Sequence, residues 1–526
     1  MEGLTDPLEA RRGKLRALRA LGVQPYPHGF RRTHLAAEVL EGFAGLEERV
    51  TAALAGRIRS LRPMGKVVFA HIEDPSGRIQ LYLRADEMGE ESFRVASLLD
   101  LGDLIGATGV PFRTRTGEIS IRVEGLSVLA KALRPLPAVK EREGVVYDAF
   151  RDREARYRRR YLDLILNPEV REVFARRAAA IRVLRRELDA RGFLEVETPV
   201  LQAVYGGASA RPFRTHHHAL DMPLYLRIAE ELPLKKLLVG GLERVYELGR
   251  VFRNEGLDRH HNPEFTLLEF YWAYADYREA MSLVEDLVRQ TALEVRGALQ
   301  IPSPEGTDEV VDLAPPFERR SLADLVREQA GIDVLAASDG ALDEACRRLG
   351  GGLPAGAPRG KRIEKLFDLS VAPRLRRPTF VTDYPMSISP LAKGHRERPD
   401  DLVERFELFI LGQEYANAFS ELNDPEEQRR RFAEQQRWRE AGDEEAQPLD
   451  EDFLEALEHG MPPAAGVGIG VDRLVMLLTG CAAIRDVLLF PHLRPSDESD
   501  RDRTGAEPEE CPGAPASPAP SREERR

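Results

Sequence analysis

Between residues 50 and 130 apolar and polar residues alternate in short runs: "VTAALAGRIRSLR", "KVVFAHIED", "RIQLYLR", "DLIGATGVPFRT" and "EISIRVEGLSVL". Turn signals such as Asp74-Pro-Ser-Gly77 and Thr116-Gly-Glu118 separate them. Alternation puts successive side chains on opposite faces, so each run has one face to bury and one to expose. About five such strands in so short a length bury their apolar faces together by closing on themselves. The expectation is a small closed barrel over 49–135.

An OB-fold is the commonest barrel of this size with a binding face, although strand alternation alone fits an SH3-like barrel nearly as well. Ahead of the barrel, "MEGLTDPLEARRGKLRALRALG" has a charged helical pattern, giving a helical extension over 1–48. After it, "KALRPLPAVKE" carries Pro135 and Pro137 and reads as part of a stiff linker over 136–160. The texture then changes. "NPEVREVFARRAAAIRVLRRELDARG" is a long amphipathic helix with Pro168 in its first turn and Gly192 at its end, and the strand "FLEVETPVL" follows. Further strands are expected at 243–253, 265–274, 378–384, 403–411 and 414–422, mostly antiparallel by their short connections. Helices are expected at 278–297 and 320–376, the latter within a helical insertion at about 300–376. The fold class is α+β: an N-terminal OB-fold β-barrel, then a domain over 161–495 built on an antiparallel β-sheet flanked by helices. The end, "PSDESDRDRTGAEPEECPGAPASPAPSREERR", has almost no large apolar residues and is expected to be a disordered, acidic, Pro-rich tail over 496–526.

With 526 residues, 42% of them hydrophobic, the chain can bury more than one core. A formal charge of −12 argues against an indiscriminate nucleic-acid binder, while arginines crowd Arg11 to Arg19 and "RDREARYRRRYLDL". Cys346, Cys481 and Cys511 are scattered, without metal-ligand spacing or a disulfide framework, which suits a reducing compartment. No apolar signal core and no run of membrane-span length occurs, so the expected location is cytoplasmic, with no membrane partner.

The stretch "FRNEGLDRHHNPEF" at 252–265 joins two apolar strands. On the second, Phe265, Leu267, Glu269 and Tyr271 share one face; on the first, Glu247, Gly249, Val251 and Arg253 do. An arginine can grip phosphate or carboxylate bidentately and an exposed aromatic ring can stack a base. An ion pair between Arg253 and a neighbouring glutamate accounts for the hairpin equally well.

"RFELFILGQEYANAFSELNDP" at 405–425 reads as a second hairpin, turning at Gly412-Gln413, with Asn417, Phe419 and Glu421 on one face and Glu407 on the partner strand. Glu407 and Glu414 suit Mg²⁺ if a nucleotide's phosphates complete its shell. Simple alternation gives Glu414 the opposite parity to Asn417, so this role requires a twist or bulge. A charged hairpin edge that discourages aggregation fits the residues too. In "GVGIGVDRLVMLLTG", Gly466, Gly468 and Gly470 run into a short helix that Asp472 is placed to cap and Gly480 to end, with Arg473 at its start. No βαβ unit follows, which excludes a dinucleotide fingerprint. In "VYGGASARPFRTHHHALDMPLYLRIAEELPLKK", Gly206-Gly207 forms a tight loop and Glu230 and Glu231 precede an apolar helix. His216, His217 and His218 are consecutive, so in a strand they cannot converge on one metal.

Together these stretches resemble the class II aminoacyl-tRNA synthetases, and within them the lysyl-tRNA synthetases (lysine–tRNA ligases), over about residues 10–495. The long helix and strand ending at Pro199 look like motif 1, a dimer-interface element. "FRNEG…NPEF" is similar to motif 2 and "GIGVDRL" to motif 3, while "KALRPLP", "RYLDL", "GGASARPF", "ERVYELGRVFRNEG" and "NAFSELNDP" are specific to the lysyl branch. The resemblance implies a class II synthetase catalytic domain over 161–495, an anticodon-binding barrel and a homodimer. It implies that Arg253 holds the α-phosphate and the amino-acid carboxylate, Phe265 stacks on adenine, His261 and Glu255 line the ATP site, Arg473 binds the far phosphate, and Glu407 and Glu414 hold Mg²⁺. The implied reaction activates L-lysine with ATP to lysyl-adenylate and pyrophosphate, then transfers lysine to the 3′ end of tRNA(Lys). Neither step needs a protein nucleophile.

The same resemblance brings Gly207, Glu231, Glu269, Tyr271, Asn417, Phe419 and Glu421 to the amino-acid pocket. One or two carboxylates satisfy an α-ammonium, and an aspartate pocket would need a cation for the side chain. Three glutamates imply a second ammonium and a diamine substrate. Glu421 and Tyr271 are assigned to the ε-ammonium; Glu269, Glu231 and the Gly207 carbonyl are assigned to the α-ammonium. On the barrel, Phe69 and Gln80 occupy positions where the family reads the central uridine, with Glu118 and Arg57 beside them; taken alone, Phe69 reads as barrel core. Three positions depart from the family: His260 stands for its usual Arg, with Arg259 one place earlier, and Glu230 and Pro233 stand where many relatives have Pro and Tyr. The alternatives are an aspartyl- or asparaginyl-type specificity, or a non-catalytic tRNA-binding paralogue.

Overall fold

The computed structural model describes residues 6–47, 49–137, 139–142, 145–148, 150–353, 357–440, 442 and 446–495. The tail expected at 496–526, with Cys511, lies outside them. The chain forms two compact units, Met1–Arg156 and Tyr157–Arg526.

In the first unit, helix α1 (Pro7–Ala20) starts at Asp6, whose side chain accepts from the Leu8 N–H at 3.0 Å. Arg11 ties α1 to its unit by donating to the carbonyls of Ala132 (2.8 Å) and Leu101 (3.0 Å). Strands β1 (Ala52–Met64), β2 (Val67–Asp74), β3 (Gly77–Arg84), β4 (Leu104–Arg113) and β5 (Ile119–Ala130) close in the order β1-β2-β3-β5-β4. Only β3 and β5 pair in parallel. This is an OB-type barrel around Leu54, Ile58, Ala70, Ile72, Leu81 and Leu83. Closure removes the free edges that alternating strands would otherwise expose.

The second unit begins its regular core with α2 (Pro168–Asp189). Its sheet comprises β6 (Leu194–Glu195), β7 (Arg244–Phe252), β8 (Glu264–Ala273), β9 (Glu318–Ser321), β10 (Thr379–Pro385), β11 (Leu402–Ile410), β12 (Gln413–Ser420) and β13 (Ala464–Gly470). Their order is β9-β10-β11-β12-β13-β8-β7-β6, with the two edge strands parallel to their neighbours and every other pair antiparallel. One face packs into the main core through Tyr246, Leu268, Phe270, Phe406, Leu408 and Val467. Helices α3 (Glu231–Val239), α4 (Tyr277–Arg296), α5 (Arg359–Ser370) and α6 (Val471–Thr479) complete the frame.

Three local expectations differ from the structure. "FLEVETPVL" is not one strand: β6 ends at Glu195, and the Thr198 N–H and Oγ1 both donate to Glu247 Oε2, at 3.0 and 2.7 Å, turning the chain before Pro199. The insertion at about 300–376 is not wholly helical. It contains a hairpin (Gln300–Pro302 with Val310–Asp312), and β9 joins the main sheet beside β10. Asp472 does not cap α6. Gly470 is the capping residue, while the buried Asp472 carboxylate accepts from the Thr266 N–H (2.7 Å) and Arg177 (2.5 Å), pinning α6 to β8 and α2. Gly480 ends α6 with left-handed φ, as its sequence position suggested.

Candidate active site

Strand register lines up one face of the sheet. Glu247 pairs with Glu269, Glu269 with Gly468, Gly468 with Asn417, and Asn417 with Glu407. The neighbouring row reads Tyr271, Gly466, Phe419 and Arg405. Glycines therefore form a floor between two walls of side chains. A Cβ on Gly468 or Gly470 would meet no atom closer than 3.9 Å, so the backbone itself borders a cavity of about 430 Å³. Gly466 differs: a Cβ there would fall 2.0 Å from Glu421 Oε1 and 2.4 Å from the Tyr271 ring.

One end of the cavity is acidic. Glu231 opens α3 beside Gly207, where a φ of +87° and the 2.9 Å at which an added Cβ would meet the Glu231 Cβ demand glycine. Glu269 accepts from the Tyr271 hydroxyl and the Glu230 N–H, each at 3.1 Å, and burial plus the charge of Glu231 push its carboxyl up to about 7. Glu421 is 1% exposed and lies one layer behind; its Oε1 has no hydrogen-bond partner, and burial holds its carboxyl well above the usual range. Lys235, also fully buried, places Nζ 2.5 Å from Glu231 Oε1 and against Glu421 Oε2. Deeper still, Arg227 contacts Glu247 at 2.5 Å and Glu230 at 3.0 Å, and burial followed by the charge of Glu269 drives the Glu230 carboxyl to about 10.

The other end suits phosphate. The Arg253 guanidinium stands 5.2 Å over the Phe265 ring and donates to the Ile228 carbonyl at 3.3 Å. Among the described residues no carboxylate lies within ion-pair distance of Arg253, so the simple surface pair is not formed. Arg473, at the start of α6, donates to the Glu414 carbonyl at 2.7 Å and lies 3.3 Å from His261 Nε2, whose other ring nitrogen meets Asp258 at 2.7 Å. Glu407 accepts from Arg405 (2.6 Å) and the Tyr384 hydroxyl (2.9 Å); burial and then Glu414 push its carboxyl up to about 7. Leu408 pairs with Ala416 but Phe409 with Glu414, so Tyr415 is an extra residue and the bulge turns Glu414 onto the cavity.

The same chain matches the sequence family described as tRNA synthetases class II (D, K and N) over residues 152–494, and the OB-fold nucleic acid binding domain over 52–129. The chain belongs to the class II tRNA synthetases. Among similar class II proteins, those of Pelotomaculum thermopropionicum (51% identical over 500 residues, 94% of this chain and 96% of the relative), Syntrophomonas wolfei (51% over 493, 94% and 98%) and Moorella thermoacetica (50% over 500, 95% and 100%) are named lysine–tRNA ligase.

Within this class II site the expected residues converge. Gly207, Glu231, Glu269, Tyr271, Asn417 and Phe419 line the acidic end, with Glu421 behind it. Arg253, Glu255, His261, Phe265, Glu407, Glu414 and Arg473 line the other. His260 also lines it, while Arg259 is exposed and does not. On the synthetase's barrel, Phe69 is half-buried on the outer face; Val68, Ala70 and Ile72 supply the core from the same strand, which removes the core reading. Gln80 Nε2 donates to Glu118 Oε2 at 2.7 Å, and His71 lies 2.8 Å from Glu118 Oε1. Arg57 does not join them: its guanidinium donates to the Gly102 carbonyl at 2.7 Å, while Arg62 pairs across from Phe69.

Sequence reading missed Lys235, Arg405 and the Tyr82 and Phe112 rings that continue from Phe69 at centroid spacings of 5.3 and 5.6 Å. Two of these had a signal: Lys235 follows Glu231 by four residues on a helix, and Arg405 precedes Glu407 by two on a strand.

Proposed function

We propose that this synthetase charges tRNA(Lys) with L-lysine. The carrying observation is the charge balance of the buried acidic end. Sequence counting found three glutamates there but overlooked Lys235, which neutralises one of them. Two carboxyls remain without a cation of the protein's own, one more than an α-ammonium can balance, and a diamine would ionise and match both. Carboxyls raised by burial and by one another are the electrostatic signature of a pocket waiting for cations. Lys235 is engaged with Glu231 and Glu421, so it is not available to the carboxylate of an aspartate substrate. The names of the relatives at about half identity agree with lysine.

In the first step the lysine carboxylate attacks the α-phosphorus of ATP and pyrophosphate leaves. Arg253 orients both reacting groups and stabilises phosphate charge, Phe265 stacks on adenine, His261 and Glu255 line the nucleotide, and Arg473 holds the far phosphates. Glu407 and Glu414 line the same cavity on either side of the bulge, and the carboxyl of Glu407, raised by burial and then by Glu414, suits a site that a cation would help to ionise. Mg²⁺ held there would neutralise phosphate charge, with the ATP oxygens completing its shell. A ribose hydroxyl at the tRNA 3′ end then attacks the adenylate carbonyl, releasing AMP. Glu269, Glu231 and the Gly207 carbonyl hold the α-ammonium, Glu421 and Tyr271 the ε-ammonium, and Asn417 and Phe419 flank the side chain. Phe69, Gln80 and Glu118 read the anticodon by stacking and base-edge hydrogen bonds.

The exposed Leu194 (52%) and Leu201 (49%), in the segment that follows α2, suit the homodimer that the motif 1 resemblance implies. No helix among the described residues is long and apolar enough to cross a membrane, and a translation enzyme of this kind works in the cytoplasm. ATP–pyrophosphate exchange run with lysine, aspartate and asparagine tests the substrate. Exchange is expected with lysine alone, and exchange with aspartate would overturn the charge reading.

A further inference from the structure

We infer that Lys235 is a positioning residue that sets the substrate length and charge the amino-acid pocket accepts, by tying together the carboxylates at its two ends. The inference rests on the lysine reading above. Lys235 lines no part of the cavity and touches no substrate; it acts through Glu231 and Glu421.

The geometry divides the four carboxylate oxygens into two pairs. Glu231 Oε1 and Glu421 Oε2 meet on Lys235 Nζ. The other two border different glycines. Glu231 Oε2 is turned toward Gly207, 3.7 Å from where a Cβ on that glycine would stand. Glu421 Oε1 hangs over Gly466 beside the Tyr271 ring, without a partner. One ammonium therefore fixes the separation of the α- and ε-ammonium acceptors.

Lys235 has little freedom to loosen the tether. It is wholly buried, with Nζ 5.4 Å from the Phe419 ring centroid and 5.8 Å from that of Phe453, which close round the cation. Burial alone would discharge the amine, but Glu231 and then Glu421 outweigh it and keep it protonated. Glu231 on α3 and Glu421 just after β12 face it directly. Behind them stand Glu269 on β8, which acts on both carboxyls, and Arg405 on β11, whose charge acts on Glu231 but is itself paired with Glu407. Without Lys235, three mutually repelling carboxylates would share a dry site, and protonation of one would remove an ammonium acceptor.

The test is ATP–pyrophosphate exchange on the full-length enzyme and its Lys235→Met variant, with lysine and with ornithine, across the pH range. In the variant the KM for lysine is expected to rise about tenfold while the KM for ATP stays within about twofold. The preference for lysine over ornithine should fall about tenfold, because the acceptors are no longer held at lysine length. The pH at which kcat/KM for lysine reaches half its plateau should move upward, since a carboxyl that has lost its counter-ion must be ionised before it binds ammonium. Lys235→Gln keeps a donor without the charge and covers failure of the methionine variant to fold; it should retain more of the ornithine discrimination yet show the same pH displacement. A folded variant with native lysine KM, native ornithine discrimination and an unmoved pH profile would overturn the role of Lys235. Parallel losses for ATP and lysine would reduce it to a folding residue. Absence of lysine-dependent exchange in the native enzyme would instead reject the lysine reading.

Discussion

Glu407 and Glu414 sit across one β-bulge: Leu408 pairs with Ala416, Phe409 pairs with Glu414, and the single extra residue, Tyr415, brings both carboxylates to the same cavity. Regular alternation would have turned Glu414 into the opposite layer. Burial and Glu414 hold Glu407 at about 7 against an ordinary 4.5, so near neutrality a proton and a metal cation compete for it. The expected result is that kcat/KM for MgATP, at saturating lysine, rises with pH through about 7 and then levels. Glu407→Gln should lower exchange about 100-fold and resist rescue by added Mg²⁺, because the amide cannot supply a charged ligand. A variant that responds to Mg²⁺ like the native enzyme would show that Glu407 is not a ligand.

The glycine floor separates fold from function. A Cβ on Gly468 has 3.9 Å of clearance from protein atoms, so Gly468→Ala should fold with a nearly native thermal midpoint. It should nevertheless lose most exchange, since the methyl group occupies space bordered by Glu269 and Asn417. Gly466→Ala should be unstable instead, its methyl colliding with Glu421 and Tyr271. Differential scanning fluorimetry beside exchange rates distinguishes the two.

Phe69 stands outside the barrel core, so its loss should be felt by RNA and not by the fold. Phe69→Ala is expected to raise the KM for tRNA about tenfold, the order of one base–aromatic stack. Pyrophosphate exchange, which needs no anticodon, should not change. Arg57→Ala should leave the tRNA KM close to native, because its guanidinium is committed to the Gly102 carbonyl.

How much of this was legible follows from the range of the signals. The barrel was readable because alternation at period two is local, and the glycine strand because Gly466, Gly468 and Gly470 repeat at the same period. The bulge could be required from the chemistry but not located. Lys235 escaped because a lysine on an apolar helix ordinarily extends to solvent; only the approach of Glu421, from the end of a strand much further along the chain, shows that it is buried. Arg57 shows the converse failure: the residue is on the expected barrel, but its side chain goes to a carbonyl that no motif specifies.

The raised carboxyls also predict how stability responds to pH and to lysine. Glu269 is held at about 7 by burial and by Glu231, above its unfolded value of 4.5. A carboxyl raised on folding favours the native state while it is protonated, and that contribution fades as pH climbs from its unfolded value through the folded one. The ligand-free enzyme should therefore lose stability between about pH 5 and about pH 8 at this site, with Glu407 acting in the same direction. Lysine supplies the missing ammonium groups and removes the penalty for ionisation. Its stabilising effect on the thermal midpoint should accordingly be larger at about pH 8 than at about pH 6, whereas a ligand indifferent to these carboxyls shifts it equally at both. In Glu269→Gln the pH dependence of that lysine-induced shift should flatten, because one of the ionisations it reports is gone. Measuring the shift with lysine, with its ε-acetylated form and without ligand separates the second ammonium from the first. If the acetylated form gave the full shift at high pH, the ε-ammonium would have no acceptor here.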